Sequence, residues 1–347
     1  MKNLFLLLFS VLFPIVWVHS QGCVAVRGIT GFSSDVLFEN TQPTNKWLMN
    51  VNNRFFESSS TFRGKRFITD TLVTNRSYTL NIAVNRMLAN GWSLGLTIPV
   101  SANSRNNTAD HKGLGILPRY TTRSFGLGDI RFAVYKRLLP LSTNKKMNIQ
   151  AGLGIKLPTG DHEYKDYFVR NDSTKVLAPV DQSIQLGDGG TGITVEVNSF
   201  YRLNKVVLFF GNFYYLINPR EQNGVSNLKG RNATQRQIHN NTTVMSVPDQ
   251  YSLRGGVDFQ FRKISLTTAL RYEKVPANDL IGGNKGFRRA ATIASVEPGL
   301  NYKLKTTLIF VSISIPFKRE IVQNLENDET PAGFADYIVY TGIYFRL

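Results

Sequence analysis

The feature that most constrains this chain is a two-residue alternation of apolar and polar side chains that recurs along almost its whole length. Met147, Ile149, Ala151, Leu153, Ile155 and Leu157 interleave with Asn148, Gln150, Gly152, Gly154 and Lys156. Ile264, Leu266, Leu270 and Tyr272 interleave with Ser265, Thr267, Ala269, Arg271 and Glu273. Successive side chains of a strand point to opposite faces, so each such segment is a ribbon with one apolar and one polar face. The period predicts strands near 46–56, 75–88, 91–103, 125–138, 146–158, 189–203, 205–218, 249–262, 263–275, 290–303, 305–318 and 335–347. About twelve strands, most of them roughly 11–15 residues long, are long for a soluble sandwich.

The joins sharpen the reading. Short joins at Ala89-Asn90-Gly91, Pro140–Lys145, Asn204, Arg262-Lys263 and Lys303–Lys305 alternate with long ones at 57–74, 104–124, 159–188, 219–248, 276–289 and 319–334. In an up-and-down sheet, consecutive joins lie at opposite ends. All tight turns then fall on one side and all long loops on the other, the asymmetry of an outer-membrane barrel. Hydrocarbon offers the backbone no hydrogen-bond partner, so a sheet crosses it only when closed. The expected fold is therefore an all-β, transmembrane, up-and-down antiparallel barrel of about twelve strands. A soluble exported sandwich would explain the alternation but not the alternating joins. The last strand ends in an outward run, Ile343, Phe345 and Leu347, of the kind that bacterial barrel-assembly machinery reads.

Composition supports an exported chain. Among 347 residues there is one cysteine, and the only apolar run near membrane-helix length is Leu4–Val18. It follows the basic start Met1-Lys2-Asn3 and precedes a usable cleavage site at Val18-His19-Ser20, so residues 1–20 read as a signal peptide. Residues 21–45 read as a periplasmic or lumenal segment and 46–347 as the barrel, placed in the bacterial outer membrane. Cys23 reads as a plain cysteine, with lipid attachment as the alternative. The formal net charge of +17 comes from loop residues (Arg63, Lys65, Arg66; Lys285, Arg288, Arg289; Lys318, Arg319) and turn residues (Lys145, Lys146, Lys205, Lys263, Lys305). Both sets suit anionic lipid headgroups and lipopolysaccharide phosphates. Anion-favouring permeation is the sharper alternative. The leader and the absence of any motif argue against nucleic acid.

The polar face of the strands turns to the lumen. It carries Arg54, Asp129, Arg131, Lys156, Glu196, Arg202, Arg254, Asp258, Arg271, Glu273, Glu297 and Arg346. Such a ladder either fills and rigidifies the interior or lines a wet pore that selects solutes. The joins 159–188 and 219–248 are long enough to fold inward as a constriction. Enzyme chemistry is poorly supported: His111, His162 and His239 fall in long joins without a Ser/Asp partner pattern. No metal-ligand spacing and no cofactor motif is present.

Three stretches stand out together: Phe125-Gly-Leu-Gly-Asp-Ile-Arg131, Gly154-Ile-Lys-Leu-Pro-Thr-Gly-Asp161 and Leu186-Gly-Asp-Gly-Gly-Thr-Gly-Ile193. They resemble the outer-membrane family named for the MetA pathway of phenol degradation, over roughly residues 90–220. The resemblance implies a transporter barrel in an aromatic-degradation context. Read from the residues alone, Gly126, Gly128 and Asp129, then Pro158, Thr159, Gly160 and Asp161, then Gly187, Gly190 and Gly192, are rim and turn chemistry. The expected function is passive uptake of small solutes, hydrophobic or aromatic ones included, through the barrel. The alternative is a non-transporting surface barrel acting as adhesin or envelope structural protein through its long basic loops.

Overall fold

Pairing of backbone groups around a closed ring organises the structure, a computed structural model. The described residues are 46–69, 73–112, 118–140, 146–171, 173–321 and 332–347. The expected signal peptide, the 21–45 segment with Cys23, and Lys145 lie outside them. The wall is built from β1 (Trp47–Ser58), β2 (Val73–Met87), β3 (Trp92–Asn107), β4 (Tyr120–Leu127), β5 (Arg131–Arg137), β6 (Met147–Lys156), β7 (Gly192–Arg202), β8 (Val207–Ile217), β9 (Gln250–Phe261), β10 (Ile264–Val275), β11 (Ala291–Lys303), β12 (Thr307–Ile321) and β13 (Tyr337–Arg346). Each pairs antiparallel with its neighbour, and β13 returns to β1 from Leu48 opposite Arg346 to Glu57 opposite Tyr337. β4 and β5 both pair with β3 and share one position, so the barrel has twelve strand positions among the described residues.

That shared position corrects one expectation. The single strand read over 125–138 is two strands in opposite phase. Thr97 of β3 faces Arg131 and Val100 faces Leu127, so two residues of β3 oppose three of the partner. The extra residue is a β-bulge, and it flips the alternation: Phe125 and Leu127 point outward, and beyond the bulge so do Phe132 and Val134. Pro99 sits opposite it. Its carbonyl accepts from the Gly128 N–H at 2.8 Å, so its own missing donor falls where the ladder is already interrupted. Pro316 repeats the arrangement on β12, where Phe317 is the bulged residue.

The outward face is an apolar belt with aromatic margins. Trp47, Trp92, Tyr201 and Tyr302 ring the short-turn end, each 40–46% exposed. Arg86 lies over Trp47 at 4.9 Å and Lys136 over Trp92 at 4.8 Å. Toward the loop end Tyr215, Tyr251 and Tyr272 touch across three neighbouring strands. Tyr251 and Phe261 are ten steps apart on β9; at about 3.3 Å per step and a tilt near 40° that is a belt of about 25 Å. Short turns use left-handed residues where they must, Asn90 at φ +55° and Arg262 at φ +49°.

The long joins are not bare loops. Ser60–Arg63, Arg66–Thr69 and Ala332–Phe334 form a small sheet; Lys165–Val169 pairs with Lys175–Pro179, and Gln222–Ser226 with Val244–Ser246. A short helix α1 (Gln235–His239) is closed by reciprocal Thr234 and Gln237 bonds. These ribbons are too short for periodicity to show them.

Trp47 and Trp92 are the only tryptophans among the described residues. Both sit at one interface, so brominated lipids labelled near the headgroup should quench the emission of the folded protein more strongly than lipids labelled near the chain ends. Stronger quenching from the chain ends would displace the belt assigned here.

Candidate functional site

The bulge between β4 and β5 is where the three glycine-rich motifs meet. Asp129 leaves it toward the lumen. Its Oδ1 accepts from the Gly160 N–H at 3.0 Å and its Oδ2 from the Asp188 N–H at 3.2 Å, with Lys156 Nζ at 3.5 Å. Lys156, the last residue of β6, also pairs with Asp188. Asp188 in turn accepts from the Gly190 N–H at 2.9 Å. Thr159 Oγ1 accepts from the Ile130 N–H and donates to the Gly128 carbonyl, both at 2.8 Å. Leu186 N–H reaches the Asp161 carbonyl at 3.3 Å. At Gly187 a Cβ would lie 2.5 Å from Asp129 Oδ1 and 2.6 Å from the Gly160 carbonyl, so no other residue fits between them. The three motifs come together in the structure. They form one knot within the wall, because the bulge turns Asp129 inward and the join after β6 folds back onto it. Gly126 packs on Leu186, while Gly190 and Gly192 lie close to Val247 and Leu216. Pro158 sits in the turn leaving β6.

β6 and β7 pair only as far up as Lys156 with Gly192. Past that level, no described barrel strand lies beside the outer edge of β4. A ribbon of the inward join stands there instead, with Asp166 accepting from the Arg123 N–H at 2.7 Å. The rest of the join enters the barrel. Its Gln182–Ile184 turn is capped by Asp181, which accepts from the Ser183 N–H at 3.0 Å. The Ile184 carbonyl takes bonds from Asn103 of β3 and Ser124 of β4.

Beneath and beside this segment lies a cavity with an empty volume of about 1630 Å³, its mouth included. One wall is neutral and polar: Asn75, Ser77, Thr79 and Asn81 of β2 face Ser101 and Asn103 of β3. They bond to one another, Ser77 to Asn103 at 2.7 Å and Thr79 to Ser101 at 3.1 Å. Beside β3 the lining carries Arg131, Lys156, Asp129 and Asp188, and beside β2 it carries Arg54 of β1. The neutral wall occupies the inward phase of two predicted strands. Sequence reasoning passed over it because it singled out charges.

The lumen residues named from sequence divide into separate groups. Arg254 Nη2 reaches Glu297 at 2.5 Å, and Arg271 Nε reaches the other oxygen of the same carboxylate at 2.7 Å. Glu273 stands 3.6 Å from Arg271. All four are almost fully buried and form one ladder across β9, β10 and β11. Arg131 pairs separately with Glu196, which also accepts from Tyr135 at 3.1 Å. Asp258 lies apart near the short-turn end, bonded to Gln260 at 2.7 Å. Below the ladder, Leu48, Leu308, Phe310 and Tyr344 form one apolar cluster, and Phe200, Leu208 and Phe210 another. On β13, Tyr340 and Tyr344 face the lumen and Val339, Ile343, Phe345 and Leu347 the belt.

A second charge cluster caps the loop end. Asp181 is fully buried, with Arg289 at 2.9 Å, Lys229 at 3.1 Å and Arg105 at 3.8 Å. Burial alone would raise its carboxyl, but the three cations outweigh that and hold it well below the usual carboxylate range. Asp110 shares Arg105 at 2.6 Å and Lys229 at 3.2 Å. Nearby, His111 is stacked between Tyr120 and Phe168 and accepts from the Val169 N–H through Nδ1 at 3.1 Å. That bond needs the neutral ring. Burial lowers the His111 pKa; Asp110 opposes the shift, while Arg170 and Arg231 add to it. Sequence gave no sign of this cap, whose members come from four separate joins.

Two outcomes follow. Lys156→Met leaves Asp129 and Asp188 adjacent without their cation, at a cost of about 3–5 kcal/mol. Faster hydrogen exchange over 181–188 and a larger single-channel conductance, with the barrel still folded, are the expected result; unchanged exchange would refute the knot as anchor. For His111, the folded pKa lies below the unfolded value of about 6.5, so its contribution is whole above that value and is lost as pH falls through the folded pKa. The protection factor of the Val169 amide, its exchange relative to the intrinsic rate at each pH, should fall as pH drops from about 7 to about 5 in the native protein and stay flat in His111→Phe. Asp181 remains ionised throughout that window.

No protein-family model matches the sequence, and no curated protein matches it. Solved structures do. The chain superposes on an outer-membrane channel from Pseudomonas putida F1 with a TM-score of 0.61, over 89% of this chain and 97% of that one, at 11% identity. The Ralstonia pickettii toluene transporter TbuX gives a TM-score of 0.43 over 89% and 91%, at 9% identity. At these identities the first superposition establishes the fold, a twelve-stranded barrel of the outer-membrane type.

Proposed function

We propose that the chain is an outer-membrane channel for passive entry of small solutes, hydrophobic or aromatic ones included. The observation that carries this is the cavity: a solute-sized space walled by a neutral hydroxyl and amide ladder on β2 and β3 and by charged residues beside it, roofed by residues 182–188. A barrel interior that served only rigidity would be filled at this level, as it is at the Arg254–Glu297–Arg271 ladder. The inward join makes the opening narrow and chemically mixed, which suits selection of compact amphipathic solutes over bulk diffusion.

The surface-barrel alternative relied on free loop cations. Arg288 is buried against Asp279 at 2.8 Å and Arg289 is held by Asp181, so two of them are turned inward. Lys65, Arg66, Lys285 and Lys318 are exposed and suit lipopolysaccharide phosphates. The outward face of β13 suits recognition by assembly machinery.

Proteoliposomes containing the refolded mature protein should swell in small polar solutes and admit a compact aromatic probe such as phenol faster than protein-free vesicles do. Impermeability to sugars, ions and phenol alike, from protein shown to be folded, would remove the channel reading.

A further inference from the structure

One guanidinium in the lumen has no partner. Arg54 of β1 is 7% exposed and lines the cavity, yet among the described residues it makes no hydrogen bond and no ion pair. Its Nε is fully buried and unsatisfied. Its guanidinium carbon lies 5.1 Å from the centre of the Phe56 ring. The other arginines at this depth are engaged: Arg254 and Arg271 on Glu297, Arg131 on Glu196. Around the ladder three guanidiniums, Arg54, Arg254 and Arg271, stand against two carboxylates, Glu273 and Glu297. Arg54 holds the surplus charge. Burying an unpaired charge costs several kcal/mol, so the position is stable only when something in the cavity completes it.

What surrounds Arg54 defines that occupant. Strand register sets Thr79 on one side and Tyr340 on the other. The Arg54 charge acts across the lumen on Glu273, which in turn repels any anion brought to it. The cavity lining also holds Phe56, Leu186, Tyr214, Leu216 and Val275, an apolar surface beside the hydroxyls and amides of β2 and β3. A planar guanidinium fork matches a carboxylate through two parallel hydrogen bonds, and the apolar lining suits a compact hydrophobic body. We propose that the cavity contains a subsite for a small organic acid, its carboxylate on Arg54 and its aromatic or short aliphatic body against Phe56 and Tyr214. The proposal rests on the channel reading above and names the class of solute.

Benzoate and its neutral isostere benzamide separate the possibilities when titrated calorimetrically into the folded, detergent-solubilised mature protein. Benzoate should bind at least about tenfold more tightly than benzamide. Arg54→Gln should bring benzoate down to the benzamide level, and Arg54→Lys should retain part of the preference. Glu273→Gln should tighten benzoate and leave benzamide unchanged, a response that a purely structural arginine would not produce. Equal binding of the two probes by the native protein, or native benzoate affinity in Arg54→Gln, overturns the subsite. If Arg54→Gln does not fold, the native probe pair and Glu273→Gln still decide. Swelling measured on the same preparations separates the two readings. Arg54-dependent benzoate binding without flux removes the channel and keeps the subsite; flux without benzoate preference does the reverse.

Discussion

The Asp129 carboxylate organises everything that makes this barrel more than a closed wall. Three groups converge on it: the Gly160 N–H from the turn after β6, the Asp188 N–H from the returning end of the inward join, and the Lys156 ammonium from the last position of β6. The donors come from two stretches of chain, 156–160 and 188, and all sit in a water-poor site where charge-assisted bonds are strong. Asp129 faces inward because the ladder is broken by one residue just there. The bulge, the carboxylate and the folded-in segment form one device, and the cavity is the space that device leaves open.

The interior sorts its polar groups by the charge they carry. Deep in the barrel, Arg254 and Arg271 share the Glu297 carboxylate and fill the lumen. Higher up, β2 and β3 present only hydroxyls and amides, bonded in pairs along the wall. Paired charges are stiff and exclude solutes, whereas a neutral ladder exchanges its bonds with water or solute at little cost. The cap around Asp181 at the long-loop end repeats the first strategy where several joins must be held together. Stiff charged layers thus bracket a softer compartment.

Much of this was legible in the sequence. The period-two signal located every wall strand to within a few residues outside the β4–β5 region, because belt residues must be apolar and lumen residues need not be. Alternating joins gave the closed antiparallel order. The lumen charges on β9, β10 and β11 were read from the phase of their strands. The phase reversal at 128–130 was not legible, since one inserted residue leaves the composition unchanged and shows only against the partner strand. Convergence of the motifs was hidden for the same reason: Asp129, Thr159, Gly160 and Gly187 look like independent turns until tertiary pairing brings them together. The Asp181 cap, drawn from 105, 110, 229 and 289, has no local signature at all.

Asp188 lies four residues before Gly192, the residue that opens β7 opposite Lys156. Lys156 therefore takes part in two decisions at once: its backbone sets the register of the β6–β7 hairpin, and its side chain seats the returning join. A slip of β7 by one residue would carry Asp188 off its cation, and a join left outside the lumen would pull β7 out of register. Barrel closure and lumen furnishing are thus a single assembly step, and a correctly paired wall arrives with its constriction already in place.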